Sequence, residues 1–357
     1  MVVQPRANAS NLIAIGDSIA LLTGKHVSKN NFQVGIIGGG INGAGVALEL
    51  AAQGIKVVLF ERHDFASGTS SASSKLIHGG LRYLRKDKQF KLVYQSLLER
   101  KLLLTNAAHL VKPLRFNLAT NSFWQRWQMR AALALYQLLA GFQSGVNTIN
   151  LRAQRDHQVP AKRPFSWLNY SDAQVDDARL VIHLLLTAQQ QGAEVHNYCT
   201  IHSATESDDQ WQLSTSAGEF DCDILINASG NHVAEVHTQL LHQADELSLL
   251  QVAGSHLVFK RPDFLNQAWL LPVEDGRIIF AIPWREHFML LGTTEFKLAA
   301  GDAVAVPQSD VDYLLAVWHQ YFDVALTEQQ ILWRFCGVRP LIHQAQQSYS
   351  QVSRDFN

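Results

Sequence analysis

The sequence of 357 residues has little charge, little cysteine and no long apolar run. Charged residues make up 17% of the chain, against roughly 25% in an average globular protein, so the chain can bury a large core. The formal net charge of −1 argues against a nucleic-acid binder that works through a basic surface. Cys199, Cys222 and Cys336 have no metal-ligand spacing, which disfavours a zinc site and a disulfide framework and favours a reducing compartment. Without an apolar run of about 18 residues, no transmembrane helix is expected.

What the sequence does contain is a glycine-rich turn between two apolar segments. Residues 33–37, QVGII, form a mainly apolar run, as in a buried parallel strand, and GGGINGAG follows at 38–45. A helical segment then leads to a second apolar segment at 56–61, which ends in an acid. This order of strand, turn, helix, strand and acid predicts a dinucleotide-binding unit, and a glycine turn that holds no nucleotide is the alternative.

Each residue of this unit has an expected task. Gly38 permits the tight turn, Gly40 lets the backbone approach a pyrophosphate, and Gly43 lets the helix pack closely on the strand. The helix N-terminus offers N–H groups and a positive dipole to phosphate. Glu61 follows Gly38 by 23 residues, near the position expected for a ligand of ribose hydroxyls.

A segment of small hydroxyl residues follows, with SGTSSASS at 67–74 and KLIHGGLRYL at 75–84. Small side chains would let the backbone pass close to a phosphate and a flat ring. A flexible polar linker is the alternative, although paired glycines between apolar residues are unusual in a linker.

These two segments resemble the FAD-dependent glycerol-3-phosphate dehydrogenase family. The resemblance runs from about residue 33 to the last residue, and shorter matches to the family lie at 170–172, 175–180, 225–230, 254–256, 282–284, 291–294 and 336–341. It implies an α/β fold: a flavoprotein of the two-dinucleotide-binding-fold type, with a parallel sheet of the glutathione-reductase type in its FAD domain and a mixed antiparallel-sheet substrate domain. Alternating apolar segments at 255–259, 277–282 and 288–292 agree with the second sheet.

The predicted domains are discontinuous. They comprise an N-terminal tail at 1–31, an FAD-binding domain at 32–105 and 170–232, a substrate or cap domain at 106–169 and 233–345, and a truncated return to the FAD domain at 346–357.

The resemblance implies FAD as cofactor and oxidation of sn-glycerol 3-phosphate to dihydroxyacetone phosphate, with electrons passed to membrane quinone. The residues implied in cofactor binding are Gly38, Gly39, Gly40, Ile41, Asn42, Gly43, Glu61, Thr69, Ser70, Ser74, Lys75, Leu76, His78, Gly79, Gly80, Ala228 and Gly230. Those implied in substrate binding are Arg82, Tyr83, His78, Thr293, Thr294 and Arg354. His256 would accept the proton of the C2 hydroxyl, and Arg339 would lie close to the reacting oxygen.

Structural alternatives accompany these roles. His256 begins an apolar segment and could be a satisfied core histidine, whereas Arg339 could pair with a carboxylate. Arg82 could be a surface residue, and Arg354, four residues before the last, could lie in a frayed end.

Residues 124–142 form a segment that pairs tryptophans and arginines with a long apolar stretch. The segment suits an interfacial helix at a membrane surface, and equally a buried helix under the cap domain. The resemblance favours membrane contact, because the family is peripheral on the inner, cytoplasmic face of the membrane. It also leaves room for a homodimer.

Departures from the family pattern keep other functions open. The turn at 228–232 reads ASGNH where the family has ATGPW, Ala253 replaces a lysine, and Glu295 replaces an aspartate. The sequence also ends before the GGKLTT turn of the family. A related oxidase of amino or hydroxy acids that uses oxygen, and a truncated, inactive interaction subunit, are the alternatives.

Overall fold

The computed structural model describes residues 31–81, 90–120, 122–141, 150–154, 159–162, 166–207, 209–242, 249–299 and 303–342. The predicted tail, apart from Asn31, and the predicted return at 346–357 therefore lie outside the described residues.

The described strands, in chain order, are β1 (Asn31–Ile37), β2 (Val57–Phe60), β3 (Leu76–Ile77), β4 (Val111–Thr120), β5 (Asn150–Gln154), β6 (Ser166–Val175), β7 (Glu194–His196), β8 (Ile201–Ser207), β9 (Gln210–Thr215), β10 (Gly218–Asn227), β11 (Leu249–Lys260), β12 (Ala268–Pro272), β13 (Ile278–Trp284), β14 (Phe288–Gly292), β15 (Phe296–Lys297) and β16 (Trp333–Ile342). The longer described helices are α1 (Ile41–Ala52), α2 (Phe90–Asn106), α3 (Phe123–Leu139), α4 (Asp177–Gln190) and α5 (Gln308–Tyr321).

The chain divides into two compact units. Unit 1 consists of Met1–Ser71, Asp177–Leu249 and Pro340–Asn357, and unit 2 of Ala72–Asp176 and Leu250–Arg339.

In unit 1, the described strands form one sheet in the order β7-β2-β1-β10-β9-β8. The strands from β7 to β10 are parallel, and β9 and β8 continue the sheet antiparallel. Helices α1 and α4 bury one face through side chains such as Ile36, Leu59 and Val181. The parallel sheet and the α/β class of the FAD domain are therefore confirmed. Parallel strands that are buried on both faces have uninterrupted apolar sequences, which is why β1 and β2 were predictable.

Helix α1 shows how the local sequence sets its ends. It begins directly after Gly40, inside the glycine motif rather than after it. It ends at Ala52, and Gly54 has a φ of 79°, a left-handed conformation that favours glycine. The N–H groups of Gly54 and Ile55 donate to the carbonyls of Ala51 and Leu50, so the helix end is closed by its own backbone.

In unit 2, the described strands form a sheet in the order β15-β11-β14-β13-β12-β4-β6-β3, with β16 paired to β11 and β5 to β6. Neighbours along this order are antiparallel, except that β12 and β4 are parallel. Helix α5 packs on one face, around Trp269, Trp318 and Phe322. Helices α2 and α3 pack on the other face, around Phe116 and Leu168. The predicted mixed sheet of the second domain is confirmed.

The division between the units differs from the predicted domains in four stretches. Residues 340–342, expected in the substrate domain, fall in unit 1. Residues 72–105, expected in the FAD domain, fall in unit 2, because β3 pairs with β6 and α2 packs against β4. Residues 170–176 also fall in unit 2, since β6 pairs with β4 along its whole length. Residues 233–249, expected in the substrate domain, fall in unit 1.

Candidate functional site

In unit 1, the turn between β1 and α1 depends on two glycines that have no room for a side chain. Gly38 has a φ of 113°, and a Cβ on it would lie 2.5 Å from the carbonyl oxygen of Ala228. A Cβ on Gly43 would lie 1.9 Å from the carbonyl oxygen of Gly38. Gly38 also donates its N–H to the carbonyl of Phe60 at 2.8 Å. The turn therefore rests on main-chain contacts that any larger residue would break.

Glu61, directly after β2, holds this turn in place. One carboxylate oxygen accepts from the N–H of Gly39 and the other from the N–H of His63, both at 2.8 Å. Each oxygen has a second lone pair, so the carboxylate can still accept from the hydroxyls of a ribose.

Ser70 closes the same turn from a distant part of the chain. It lies in a short 3₁₀ turn, Thr69–Ser71, and its Oγ accepts from the N–H of Ile41 at 2.9 Å. It therefore caps α1, since Gly40 has no side chain to do so. The second small-residue turn also reaches this place, because Ala228 donates to the carbonyl of Ile37 at 2.8 Å. Gly230, two residues on, has a φ of 63°.

In unit 2, His256 of β11 is the centre of a second group of predicted residues. Its side chain is buried, and its ring stacks on that of Phe335 with the centroids 4.9 Å apart and the planes at 10°. Its Nε2 lies 2.9 Å from Oγ of Ser74. Its Nδ1 is buried and has no hydrogen-bond partner among the described residues. A core histidine normally has hydrogen-bond partners on both nitrogens, and within the described residues this one departs from that pattern.

The charge state of His256 follows from its surroundings. Burial, reinforced by the positive charges of Arg339 and Lys75, lowers its pKa to about 3. The imidazole is therefore neutral at ordinary pH and keeps a lone pair for a proton. Lys75 is 4% exposed, and its Nζ lies 5.2 Å from the ring centroid of Phe335 and 5.9 Å from that of Trp284. These aromatic faces stabilise the buried ammonium.

Arg339 of β16 lies partly exposed, with its Nη1 3.5 Å from a carboxylate oxygen of Glu295. The pairing with a carboxylate that the sequence left open is therefore present. At this distance and exposure such a pair contributes little, roughly 0–1 kcal/mol.

The two predicted pocket threonines have different surroundings. Thr294 is buried, donates its hydroxyl to Asp310 and accepts from the N–H of Ser255 at 3.0 Å. Ser255 donates to the same Asp310 oxygen at 2.6 Å, so this trio joins β11 to α5. Thr293 donates only to the adjacent carbonyl of Thr294, at 3.0 Å. The peptide bond that precedes Thr293 is cis.

Asp310 is a residue that sequence reasoning missed. An acid in the first turn of a helix is common, because it stabilises the helix dipole, and nothing nearby in the sequence distinguishes this one. Its partners Ser255 and Thr294 precede it by 55 and 16 residues.

The predicted cofactor segment at 74–80 lies in unit 2, whereas Thr69 and Ser70 lie in unit 1. Leu76 pairs with Gln174 of β6, and His78 is exposed and accepts at Nδ1 from the N–H of Gly80 at 3.2 Å. Three predicted substrate residues, Arg82, Tyr83 and Arg354, lie outside the described residues.

Helix α3 has two contrasting faces. Met129, Leu133 and Tyr136 are buried, whereas Phe123 and Trp127 are exposed and Trp124 is 76% exposed. The helix therefore packs against the sheet through one face and shows an aromatic surface on the other, and membrane contact stays a prediction. Helix α2 adds exposed apolar residues at every fourth position, namely Phe90, Tyr94, Leu98 and Leu102. Within the described residues, no helix is long and apolar enough to cross a membrane.

Comparisons with known proteins identify the family of the chain. A family model described as FAD dependent oxidoreductase (DAO) matches residues 33–353. A glycerol-3-phosphate dehydrogenase of Pseudomonas aeruginosa is 38% identical over 334 residues, covering 91% of this chain and 64% of that protein. A D-erythritol 1-phosphate dehydrogenase of Brucella abortus is 36% identical over 334 residues, covering 90% and 66%. The structure of a glycerol-3-phosphate dehydrogenase from Bacillus halodurans complexed with FAD has a TM-score of 0.68 at 27% identity, covering 88% and 58%.

A parallel sheet with a dinucleotide turn, joined in sequence to a mixed-sheet unit, defines the chain as a flavoprotein by class. Within that class, the chain belongs to the FAD-dependent oxidoreductase family, whose model covers most of its length. It spans about two thirds of the length of the two relatives.

The residues of unit 1 fit the diphosphate and ribose of FAD. A Cβ on Gly40 would meet only Ser70 Oγ, at 3.1 Å, and no other described atom within 4 Å. A phosphate can therefore approach the backbone where a side chain is missing. The first-turn N–H groups of α1 point the positive end of the helix dipole at the same place. Glu61 supplies the acceptor for ribose.

Proposed function

We propose that this chain is the FAD-binding and substrate-oxidising part of a dehydrogenase that converts sn-glycerol 3-phosphate to dihydroxyacetone phosphate. The observation that carries the proposal is His256: a buried, neutral imidazole in the positive field of Arg339 and Lys75, with one nitrogen that has no partner among the described residues. A base and positive charge in one unit suit an alcohol that carries a phosphate. The glycerol-3-phosphate dehydrogenase of P. aeruginosa, at 38% identity, supports the same substrate.

Oxidation of a secondary alcohol removes a proton from the hydroxyl and a hydride from its carbon. His256 accepts the proton, and FAD, held by the residues of unit 1, would supply the hydride acceptor. Arg339 orients the substrate through its negative oxygen atoms, and its guanidinium stabilises negative charge on the C2 oxygen as the proton leaves. Entry of the phosphate dianion raises the proton affinity of His256, because an opposite charge favours the protonated imidazole. The base thus becomes stronger when substrate is present.

Thr293, His78 and the exposed end of the 74–80 segment complete the proposed surroundings of the substrate and flavin. Lys75 contributes a positive charge, which attracts negatively charged groups of the substrate or flavin. Arg82, Tyr83 and Arg354 belong to the proposal as substrate ligands on the strength of the family resemblance.

A longer polyol phosphate is the second candidate substrate. The D-erythritol 1-phosphate dehydrogenase of B. abortus is almost as similar to this chain, at 36% identity. Both substrates share a secondary alcohol in a phosphorylated polyol, so the same base and cations would serve. Relative kcat/KM for the two compounds separates the candidates.

The experiment combines cofactor and substrate in one preparation. The purified chain is mixed with FAD, and bound flavin is measured by its absorbance after gel filtration. Reduction of an artificial electron acceptor is then followed with sn-glycerol 3-phosphate, with D-erythritol 1-phosphate and with glycerol, which lacks the phosphate. We expect the phosphorylated compounds to be oxidised and glycerol to be inert, and we expect His256→Asn to bind FAD but lose activity.

A folded chain that binds no FAD contradicts the proposal. A chain that binds FAD and oxidises no polyol phosphate contradicts the substrate. Stoichiometric peroxide with an amino or hydroxy acid would instead support the related oxidase.

The proposed electron acceptor is membrane quinone, reached from the cytoplasmic face of the membrane. The exposed Phe123, Trp124 and Trp127 support contact with lipid, because aromatic rings suit the headgroup region. Arg130 lies 5.3 Å from the ring of Trp127 and can meet a lipid phosphate. Flotation with anionic vesicles tests this contact: serine at the three aromatic positions should abolish it, and Leu186→Ser, an exposed apolar site in unit 1, should not. The proposed homodimer is tested separately, by the molar mass of the protein from light scattering without vesicles.

A further inference from the structure

A buried polar network lies in the apolar cluster that α2 and α3 form with the sheet of unit 2. Asp172 of β6 is 1% exposed and pairs with the guanidinium of Arg100 of α2 at 2.5 Å. Tyr136 of α3 donates its hydroxyl to the other carboxylate oxygen of Asp172 at 3.0 Å. Arg100 also donates to the carbonyl of Ser171 at 3.3 Å. The mechanism proposed above uses none of these groups.

The network binds the backbone of the predicted cofactor segment. The N–H of Gly79 donates to the hydroxyl of Tyr136 at 2.9 Å and lies 3.4 Å from the carboxylate of Asp172. A Cβ on Gly79 would lie 2.4 Å from the Tyr136 hydroxyl oxygen and 2.5 Å from Leu97. The chain at Gly79 is therefore pressed against the network so closely that only glycine fits.

Stability alone does not account for this network. A buried ion pair is often no more stable than well-packed apolar residues of the same volume, because desolvation offsets the attraction. Apolar residues already surround the site, among them Leu97, Leu133 and Leu168. What an apolar replacement cannot supply is an acceptor for the N–H of Gly79.

The surroundings of Arg100 and Tyr136 keep both side chains in their usual protonated forms. Burial is the largest single influence on Arg100 and lowers its pKa, but the charge and hydrogen bond of Asp172 together with Tyr136 and Tyr170 outweigh it and leave the pKa raised, so the guanidinium stays charged. Burial and the same carboxylate hold the pKa of Tyr136 well above its usual range, so its hydroxyl remains a donor. The network is therefore a permanent support for Gly79.

We propose that Tyr136, Asp172 and Arg100 are positioning residues for the cofactor: they fix the main chain at His78–Gly80 in the conformation that receives the flavin. This inference rests on the proposed function, because it takes that segment to contact FAD. Tyr136 holds Gly79 directly, Asp172 orients Tyr136, and Arg100 neutralises Asp172.

The first test removes one hydroxyl. Tyr136→Phe takes away the nearer acceptor of Gly79 and leaves only the carboxylate of Asp172, at 3.4 Å. Tyr321→Phe is the matched control, because Tyr321 is also buried in unit 2 and donates its hydroxyl to a carbonyl, that of Pro272, at 2.5 Å. Both variants should lose similar stability. Only Tyr136→Phe should speed hydrogen exchange at the Gly79 amide and raise the dissociation constant for FAD, roughly fivefold to tenfold.

The second test separates positioning from stability. The double variant Arg100→Met and Asp172→Leu replaces the ion pair with apolar side chains of similar size. We expect its thermal midpoint to stay near that of the wild type, while exchange at Gly79 rises, FAD binds more weakly and the visible circular dichroism of bound flavin changes. A merely structural network would change stability and leave these three measurements alone.

The outcomes distinguish the two proposals. A wild-type chain that folds but binds no FAD overturns the proposed function and this inference with it. A wild-type chain that binds FAD, together with variants that bind it equally well, overturns this inference only. Unchanged exchange at Gly79 in both variants also overturns it, whatever the affinity for FAD.

Discussion

The candidate site of unit 1 is built from main chain, whereas that of unit 2 is built from buried side chains. In unit 1, Gly38 and Gly43 leave space for backbone contacts, and Glu61 and Ser70 accept from backbone N–H groups. In unit 2, His256 is defined by a ring stack, a hydroxyl and two cations. The first kind of site fails when atoms are added, and the second when packing or charge is changed. Four predictions test this contrast, from the largest expected effect to the smallest.

Among substitutions that add one methyl group, Gly43→Ala should cause the largest loss of stability. Its Cβ would overlap the carbonyl oxygen of Gly38 at 1.9 Å, so the helix and turn must separate. We expect a loss of about 3 kcal/mol or more in the free energy of unfolding, measured with urea. Gly45→Ala is the control, because it lies in the same helix with no atom within 4 Å and should gain about 0.5–1 kcal/mol. Equal stability of the two variants would show that the turn of unit 1 does not depend on close main-chain contacts.

The pH dependence of stability should reveal His256. In the unfolded chain its imidazole binds a proton below about pH 6.5, but in the folded chain only below about pH 3. The unfolded state therefore binds more protons between these values, and stability falls as the pH falls. Between pH 6.5 and 5 the wild type should lose about 1.6 kcal/mol more than His256→Asn. Parallel curves for the two proteins would show that burial does not keep His256 neutral.

The two neighbouring threonines should separate a structural hydroxyl from a proposed substrate contact. Thr294→Val removes the donor to Asp310 and leaves the N–H of Ser255 without its acceptor, so we expect a loss of about 2 kcal/mol by urea denaturation. Thr293→Val should stay within about 0.5 kcal/mol and raise KM for the phosphorylated substrate instead. A reversed pattern would place Thr294 in the pocket.

Substitutions of Ser70 should have the smallest effect of the four and test the main-chain site of unit 1. Ser70→Ala removes the cap of α1 and should cost about 1 kcal/mol by thermal unfolding. Ser70→Asp keeps an acceptor for Ile41, so most of that stability should return, yet its negative charge should repel the diphosphate and weaken FAD binding. If Ser70→Asp binds FAD as tightly as the wild type, the phosphate does not lie at this turn.

The features that could be predicted from the sequence are those formed by residues close together in the chain. The turn after β1, the glycine Gly54 after α1 and the acid Glu61 all lie within one short stretch, where spacing alone carries the information. The antiparallel strands β11, β13 and β14 were also visible, because their alternation is local. FAD followed from the resemblance and agrees with the family that the chain belongs to.

The rest depends on contacts between residues far apart in sequence. Arg100 contacts Asp172, which is 72 residues away in the sequence, and His256 contacts Ser74, which is 182 residues away. No rule based on sequence spacing predicts either pair. The boundary at Ser71 and Ala72 was missed for a related reason: residues 67–84 form one family motif, yet the strand Leu76–Ile77 inside it pairs with β6 of unit 2. A motif marks shared chemistry, whereas a domain boundary marks where contacts change.

The strand order of unit 1 has a consequence for biosynthesis. Strand β1 lies between β2 and β10, and its residue Asn31 lies opposite Asp221. A ribosome that adds roughly 5–20 residues per second needs on the order of 10–40 s to make the chain between them. Throughout that time one apolar edge of the nascent sheet stays without its neighbour. We therefore expect the fraction of this protein that aggregates during synthesis to depend on the supply of chaperones and on the rate of translation, which falls in the cold.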